Sequence, residues 1–405
     1  MKFIPYAHQS ISDEDIAAVV RTLKSDFLSQ GPEIGRFEKE FATFVNAPFA
    51  VACASGTAAL HLGCLAAGIG AGDRVLTTPI TFVASANCAR YVGASVEFAD
   101  INPETCLLDP GECEKMLDAA QRAGKPFKAV ITVDLAGYPC DMQAFSRLKE
   151  KFGFIWIEDA CHALGATWTN NHGEKLQIGA CKTVDLTIYS FHPVKHITTG
   201  EGGMITAHDS ALDARLRLFR SHGINRASSA MKIRSEAFDE TGAPNPWYYE
   251  MQELGFNYRL SDIQAALGTS QLARLPIFLT RRHEVAARYR SAFTEWPYII
   301  FPKISEGLCH AYHLVIVLID FKALGKSRVQ VMNELRAKGI GTQVHYLPVP
   351  MMPAYGAGAE NPEGAMKHLP AALAYYRHTL SIPCFSDISD DEVERVVSAL
   401  KEAVK

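Results

Sequence analysis

Lys195 stands in Ser190-Phe191-His192-Pro193-Val194-Lys195-His196-Ile197-Thr198-Thr199-Gly200-Glu201-Gly202-Gly203, between apolar runs at 184–189 and 204–206. Both runs read as strands, which puts the lysine on a loop at a strand end, five residues after the hydroxyl of Ser190. Held and partly desolvated there, a neutral amine can attack an aldehyde at neutral pH. That is the chemistry of a lysine joined to pyridoxal phosphate (PLP). The cofactor would make further demands. Its phosphate needs donors, because a dianion buried without partners is very costly. Ser55-Gly56-Thr57-Ala58-Ala59-Leu60 follows one predicted strand and opens a helix. Gly56 allows close backbone approach, and Thr57 with the first helical N–H groups points at an anion. The same tripeptide also serves as a plain helix cap. Ser190 can add a hydroxyl to the same phosphate.

The pyridine nitrogen needs a carboxylate to keep it protonated. Asp159, just past the predicted strand 154–157, is placed either for that or as a helix N-cap. His162, a turn later, can orient Asp159, touch the hydroxyl side of the ring, or be a satisfied buried imidazole. Phe82, in Thr78-Pro79-Ile80-Thr81-Phe82, begins a predicted helix and can stack on the ring or fill core. No cysteine–histidine set has zinc-ligand spacing. No GxGxxG follows the first strand, which disfavours a nicotinamide cofactor.

Positioning these residues requires strands that end near one another. Apolar runs at 50–53, 74–77, 95–98, 129–133 and 154–157 alternate with helical stretches beginning at Thr57 and Phe82. The rhythm predicts an α/β fold with a mostly parallel sheet covered by helices on both faces, polar residues gathering at the strands' carboxyl ends. From Gly223 to Glu250 the rhythm breaks into an aromatic segment with Pro244, Pro246, Trp247, Tyr248 and Tyr249, read as an ordered flap. A helix over 261–275 follows. Residues 1–275 are expected to form an N-terminal segment and large PLP-binding domain, and residues 276–405 a smaller C-terminal α/β domain. Its expected elements are a long charged helix, a strand at 313–318, a helix over 329–338, the segment 342–346 and a final helix over 390–403.

With 405 residues, 48% hydrophobic and 21% charged, the chain can bury a sizeable core. A net charge of -4 without a basic block argues against nucleic acid, and residues 1–48 lack a basic helix-turn-helix pattern. Ten scattered cysteines without a CxxC pair, no signal-like N-terminus and no membrane-length apolar run predict reduced thiols and a cytoplasmic protein.

Taken in order, these segments resemble the fold-type I PLP-dependent transferases, and among them the nucleotide-sugar aminotransferases of the DegT/DnrJ/EryC1/StrS family. To the motifs already quoted, the resemblance adds Asp134-Leu135-Ala136-Gly137, Glu158-Asp159-Ala160, Arg220-Ser221-His222-Gly223, Gly255-Phe256-Asn257-Tyr258-Arg259-Leu260 and Gln264-Ala265-Ala266-Leu267-Gly268. It implies that Lys195 binds the cofactor covalently and moves the proton, Asp159 pairs with the ring nitrogen, and Phe82 stacks on the ring. Gly56, Thr57 and Ser190 would hold the phosphate, with Asn257 reaching it from the neighbouring subunit of a homodimer. Tyr6, Asp26, Phe27, Leu28, Ser29, Arg259, Gln343, Val344, His345 and Tyr346 would line a nucleotide-sugar pocket. Three segments, Ser25-Asp26-Phe27-Leu28-Ser29-Gln30-Gly31-Pro32, Glu250-Met251-Gln252-Glu253-Leu254-Gly255 and Gly341-Thr342-Gln343-Val344-His345-Tyr346, resemble the branch that aminates C4 of a UDP-linked 4-keto-6-deoxy-N-acetylhexosamine for pseudaminic acid. L-Glutamate would be the amino donor. A dehydratase of the same family would carry histidine where Lys195 stands. His196 departs from the family, whose members vary there among small, polar or proline residues.

Overall fold

The computed structural model describes residues 2–356 and 361–405. Its centre is a seven-stranded sheet of β1 (Phe49–Cys53), β2 (Arg74–Thr77), β3 (Ser95–Phe98), β4 (Ala129–Val133), β5 (Ile155–Asp159), β6 (Leu186–Ser190) and β7 (Gly203–Ala207), in spatial order β1-β7-β6-β5-β4-β2-β3. β3, β2, β4, β5 and β6 pair in parallel, and β7 is antiparallel to β6 and β1. Successive side chains point to opposite faces, so each strand feeds two cores. Val51, Val75, Ile131, Ile157, Ile188 and Ile205 meet helices α3 (Gly56–Ala66), α4 (Ala84–Tyr91) and α7 (Ser210–Arg220). Ala52, Leu76, Val130, Trp156, Tyr189 and Met204 meet α2 (Pro32–Val45), α5 (Pro110–Arg122), α6 (Met142–Phe152) and α8 (Asp262–Ala292). Burial on both faces explains why these strands read as continuous apolar runs.

Two local differences bear on the site. β5 runs on to Asp159, which pairs in register with Ile188, so Asp159 is a strand residue and not a helix cap. α4 opens at Ala84, two residues later than expected, and leaves Phe82 on the preceding loop with its ring 56% exposed.

The expected helix over 261–275 and the charged helix after it are one 31-residue helix, α8, with Pro276 inside it. A capping box between Ser261 and Gln264 starts it. Leu272, Leu275 and Phe278 pack beneath the large sheet, while Val285, Ala286 and Tyr289 pack into a second core. The expected boundary between residues 275 and 276 falls inside this helix. The second core covers an antiparallel sheet of β8 (Ile299–Ile300), β9 (Val315–Ile319) and β10 (Thr379–Ile382) with α9 (Arg328–Ala337) and α10 (Asp390–Ala403). Ile4 belongs to this core, tied by hydrogen bonds to Gly339 O and from Gly341 N, each 2.8 Å. The N-terminal segment is thereby drawn toward the small sheet and over the site.

The 223–250 segment is ordered. Ile224–Asn225 pairs with Glu250–Met251, and the Glu250 carboxylate accepts hydrogen bonds from Ile233 N (2.7 Å), Gln252 Nε2 (2.8 Å) and Lys232 N (2.8 Å). These donors hold its carboxyl down at about 2. All ten cysteines are free thiols, eight of them buried. No described helix is long and apolar enough to cross a membrane.

On the sheet face away from Asp159 lie Glu158 and Asp134, both fully buried. Glu158 Oε2 accepts from Thr187 Oγ1 (2.8 Å) and Asp134 Oδ1 from Cys140 N (2.9 Å). Glu158 Oε1 and Asp134 Oδ2 have no other donor among the described residues. Burial raises Glu158 to about 7 against the Thr187 hydrogen bond, and burial with the Glu158 charge raises Asp134. One proton between the two orphan oxygens satisfies both. A carboxyl raised in the folded state adds stability below its unfolded value of 4.5 and loses it as pH climbs through 7. Glu158→Gln keeps both hydrogen bonds without the titration. It should therefore melt above wild type at pH 8, by the equivalent of about 2 kcal/mol, the gap closing below pH ~4.5 in calorimetry.

Candidate active site

A cavity of about 390 Å³ lies at the carboxyl ends of β4, β5 and β6, where Val133, Asp159 and Ser190 line it. Gly56 and Thr57 at the start of α3 form one wall, and Phe82 and Ala84 another. Tyr6, His345 and Tyr346 come in from the N-terminal segment and the small sheet.

The α3 end is arranged for an anion. Ser55 Oγ accepts from Ala58 N (3.1 Å) and caps the helix. The N–H groups of Gly56 and Thr57 have no partner among the described residues and sit at the positive end of the helix. The cap and the anion site are thus successive parts of one turn. A Cβ on Gly56 would stand 2.8 Å from Ser190 Cβ, so only glycine lets this turn rest on the end of β6. Gly203 imposes the same condition from β7, since a Cβ there would lie 2.4 Å from Ser55 O and 2.9 Å from Gly56 N.

Asp159 is buried, with Oδ2 accepting from Ser85 Oγ (2.6 Å) and Oδ1 from Cys161 N (3.1 Å). Ser85, on α4, is tied in turn to Thr81 Oγ1 (2.7 Å). His162 Nδ1 accepts from Ala136 N (3.2 Å), which leaves its proton on Nε2 for Tyr346 Oη (3.2 Å). Burial, then the Lys195 charge, pushes His162 well below its ordinary range, so it is a neutral imidazole. Tyr346 is held protonated by burial and keeps its own O–H free to donate. Tyr375 Oη donates to His345 O (2.6 Å), and His345 Nδ1 meets Ser381 Oγ (2.8 Å). These bonds fix the 345–346 turn over the cavity. Burial lowers His345 to about 3.

Lys195 reaches the cavity from the loop after β6, its N–H bonded to His192 O (2.8 Å). Burial lowers its pKa, opposed by Cys161 and Asp159. Among the described residues its Nζ has neither a hydrogen bond nor an ion pair. Asp159 lines the same cavity without closing on it.

Of the residues singled out by sequence, ten line this cavity: Tyr6, Gly56, Thr57, Phe82, Asp159, His162, Ser190, Lys195, His345 and Tyr346. The rest lie outside it. Asp26, Phe27, Leu28 and Ser29 are exposed on a turn fastened to α8 by Asp262 N to Leu28 O (3.0 Å) and by Asp262 accepting from Gly31 N (2.7 Å) and Glu33 N (2.9 Å). Asn257 is exposed, and Arg259 lines a separate cleft with Gln30, Arg220 and Arg226. Gln343 and Val344 flank the cavity turn without entering it. His196 turns away from the cavity to Ala311 O (2.9 Å). Sequence reasoning missed Ser85, Cys161, His192 and Glu201. His192 and Glu201 lay within the motif around Lys195, and Cys161 between Asp159 and His162, whereas nothing in the sequence marked Ser85.

Free helical N–H groups beside a glycine cradle, a carboxylate held by two donors and an unpaired, half-buried lysine fit PLP part by part. They define the site of a fold-type I PLP-dependent transferase. The chain belongs to the DegT/DnrJ/EryC1/StrS aminotransferase family, whose sequence profile matches residues 9–401. It is 38% identical over 404 residues to the spore coat polysaccharide biosynthesis protein SpsC of Bacillus subtilis, covering 100% of this chain and 97% of that one. It is 34% identical over 397 residues to the UDP-4-amino-4,6-dideoxy-N-acetyl-beta-L-altrosamine transaminase of Campylobacter jejuni, covering 98% and 96%. Among solved structures, PseC of Helicobacter pylori, an aminotransferase in the biosynthesis of pseudoaminic acid, superposes with a TM-score of 0.86 at 27% identity over 99% of both chains. The PLP form of a sugar aminotransferase from Streptococcus pneumoniae gives 0.84 at 27% identity, covering 99% and 98%. The protein is a PLP-dependent sugar aminotransferase.

Gly203→Ala should push the Ser55–Gly56 backbone away from β7 and weaken PLP binding by about tenfold or more, with unchanged far-UV circular dichroism. Fluorescence titration of the apoprotein with PLP measures it.

Proposed function

We propose that the protein moves the amino group of L-glutamate to C4 of a UDP-linked 4-keto-6-deoxy-N-acetylhexosamine, giving UDP-4-amino-4,6-dideoxy-N-acetyl-β-L-altrosamine for pseudaminic acid in the cytoplasm. The observation that carries this reading is the cavity itself, which brings Lys195 and Asp159 together with Tyr6, His345 and Tyr346 around about 390 Å³. The Campylobacter transaminase and the Helicobacter neighbour favour this sugar. PLP supplies an electron-accepting ring for the charge released at the amino carbon. Asp159 holds the ring nitrogen's proton, Gly56, Thr57 and Ser190 hold the phosphate, and Phe82 covers one face. Lys195 Nζ, which burial makes easier to deprotonate, would carry the proton between the donor carbon and the cofactor. The sugar half-reaction runs the same steps backward, so kinetics are ping-pong.

In this reading the protein works as a homodimer. Asn257, Arg259 and the Asp26–Ser29 turn, which lie outside their own chain's cavity, serve the neighbouring one, Asn257 at the phosphate and Arg259 with its forked donors at an anionic group of the substrate.

The second reading is amination of another nucleotide-linked keto sugar, at C3 or C4 on a dTDP or GDP carrier; the likeness to SpsC, a spore coat polysaccharide biosynthesis protein, leaves room for a different sugar. Incubating the purified protein with PLP, L-glutamate and UDP- or dTDP-linked keto sugars, then identifying the product by mass and NMR, decides between them. The proposal expects a 4-amino UDP sugar and 2-oxoglutarate. Amination at C3, or of dTDP sugars alone, would replace the sugar assignment with the second reading.

A further inference from the structure

His313 belongs to the segment 311–314 that leads into β9, and its ring is only 2% exposed. It packs against His162 with the rings tilted, centroids 4.3 Å apart and planes at 42°, and lies 5.7 Å from His196. Its Nδ1 is buried without a partner among the described residues. A buried imidazole with an unpaired nitrogen is costly, and a core aliphatic would avoid that cost.

The backbone around it is tied to the residues that orient His162. Ala311 N donates to Gly137 O (2.7 Å) and Leu314 N to Ala136 O (3.1 Å), while Ala136 N donates to His162 Nδ1. The fully buried Arg282 of α8 donates through one nitrogen to Tyr312 O (3.1 Å) and His313 O (3.2 Å). Gly137 makes this docking possible, since a Cβ there would stand 3.0 Å from Tyr312 N and 3.1 Å from His313 N. One face of His162 is therefore closed by a ring from the small-sheet side, and its Nε2 is turned to Tyr346.

From this arrangement we infer that His313 is a positioning residue: its ring fixes the plane of His162, and through His162 the side of the PLP cavity between Asp159 and Tyr346. It is not among the residues that line the cavity. Burial, followed by the neighbouring His162, Lys195, His196 and Arg282, keeps it uncharged, so it acts by shape. The inference rests on this cavity being the PLP site and not on which sugar is aminated.

The test compares His313→Ala and His313→Phe with wild type. PLP affinity is measured by titrating apoprotein, the pH midpoint of the cofactor absorbance on the holoenzyme, and kcat and KM with L-glutamate as donor. His313→Ala should weaken PLP binding about fivefold, move the absorbance midpoint by about half a pH unit and lower kcat about tenfold with KM for glutamate nearly unchanged. His313→Phe, which restores a ring of similar thickness, should return all three to within about twofold of wild type. If His313→Ala does not fold, His313→Asn, which keeps polarity without the full ring, takes its place beside His313→Phe. A lowered melting temperature with unmoved affinity, midpoint and kcat would overturn the inference. So would His313→Phe behaving like the ring-less variant. Wild type that fails to bind PLP would instead strike at the cofactor site itself.

Discussion

An amine and a carboxylate occupy one cavity here without neutralising each other, and the chemistry depends on that separation. As an ammonium, Lys195 would be drawn to the Asp159 carboxylate in a low-dielectric site. The fold withholds the contact. Asp159 is the last residue of β5, with its two oxygens engaged by Ser85 and Cys161 N. Lys195 hangs from a loop five residues past the end of β6. The space between can take a flat ring whose nitrogen meets the acid while its aldehyde meets the amine. Burial makes the amine easier to deprotonate, and that favours attack on the aldehyde.

The remaining parts serve to keep that geometry from collapsing. Gly56 and Gly203 let two strand ends and a helix start share one patch of backbone, which brings unpaired N–H groups to the phosphate position. The 345–346 turn is pinned by Tyr375 and Ser381, so the small sheet delivers neutral His345 and Tyr346 to the opening. α8 runs through both cores and, through Arg282, also holds the segment carrying His313. One long helix therefore joins the core under the large sheet to the core of the small sheet.

The sheet was legible because its strands are buried on both faces and read as short apolar runs between helices. The run at 129–133 coincides with β4, and the helix at 390–403 with α10. Lys195 and Gly56 were legible because loop glycines and a strand-end lysine have few other reasons to occur together. Where sequence went astray, tertiary contacts decided the outcome. The strand was expected to end at Ile157, which left Asp159 open between a ring-nitrogen partner and a helix cap; pairing with Ile188 extends the strand through it. The helix was expected to end at Leu275, yet packing on both sides carries it on through Pro276. Ser85 and His313 were invisible, since a serine on a helix and a histidine before a strand have no periodic signature. Only the folded chain brings them to Asp159 and His162.

The most direct measurement is the position of the covalent bond to the cofactor. The holoprotein would be reduced with borohydride, digested, and its peptides sequenced by mass spectrometry. The account requires a single pyridoxyl label, on Lys195. A label on another lysine, or protein that binds PLP yet yields no labelled peptide, would contradict it.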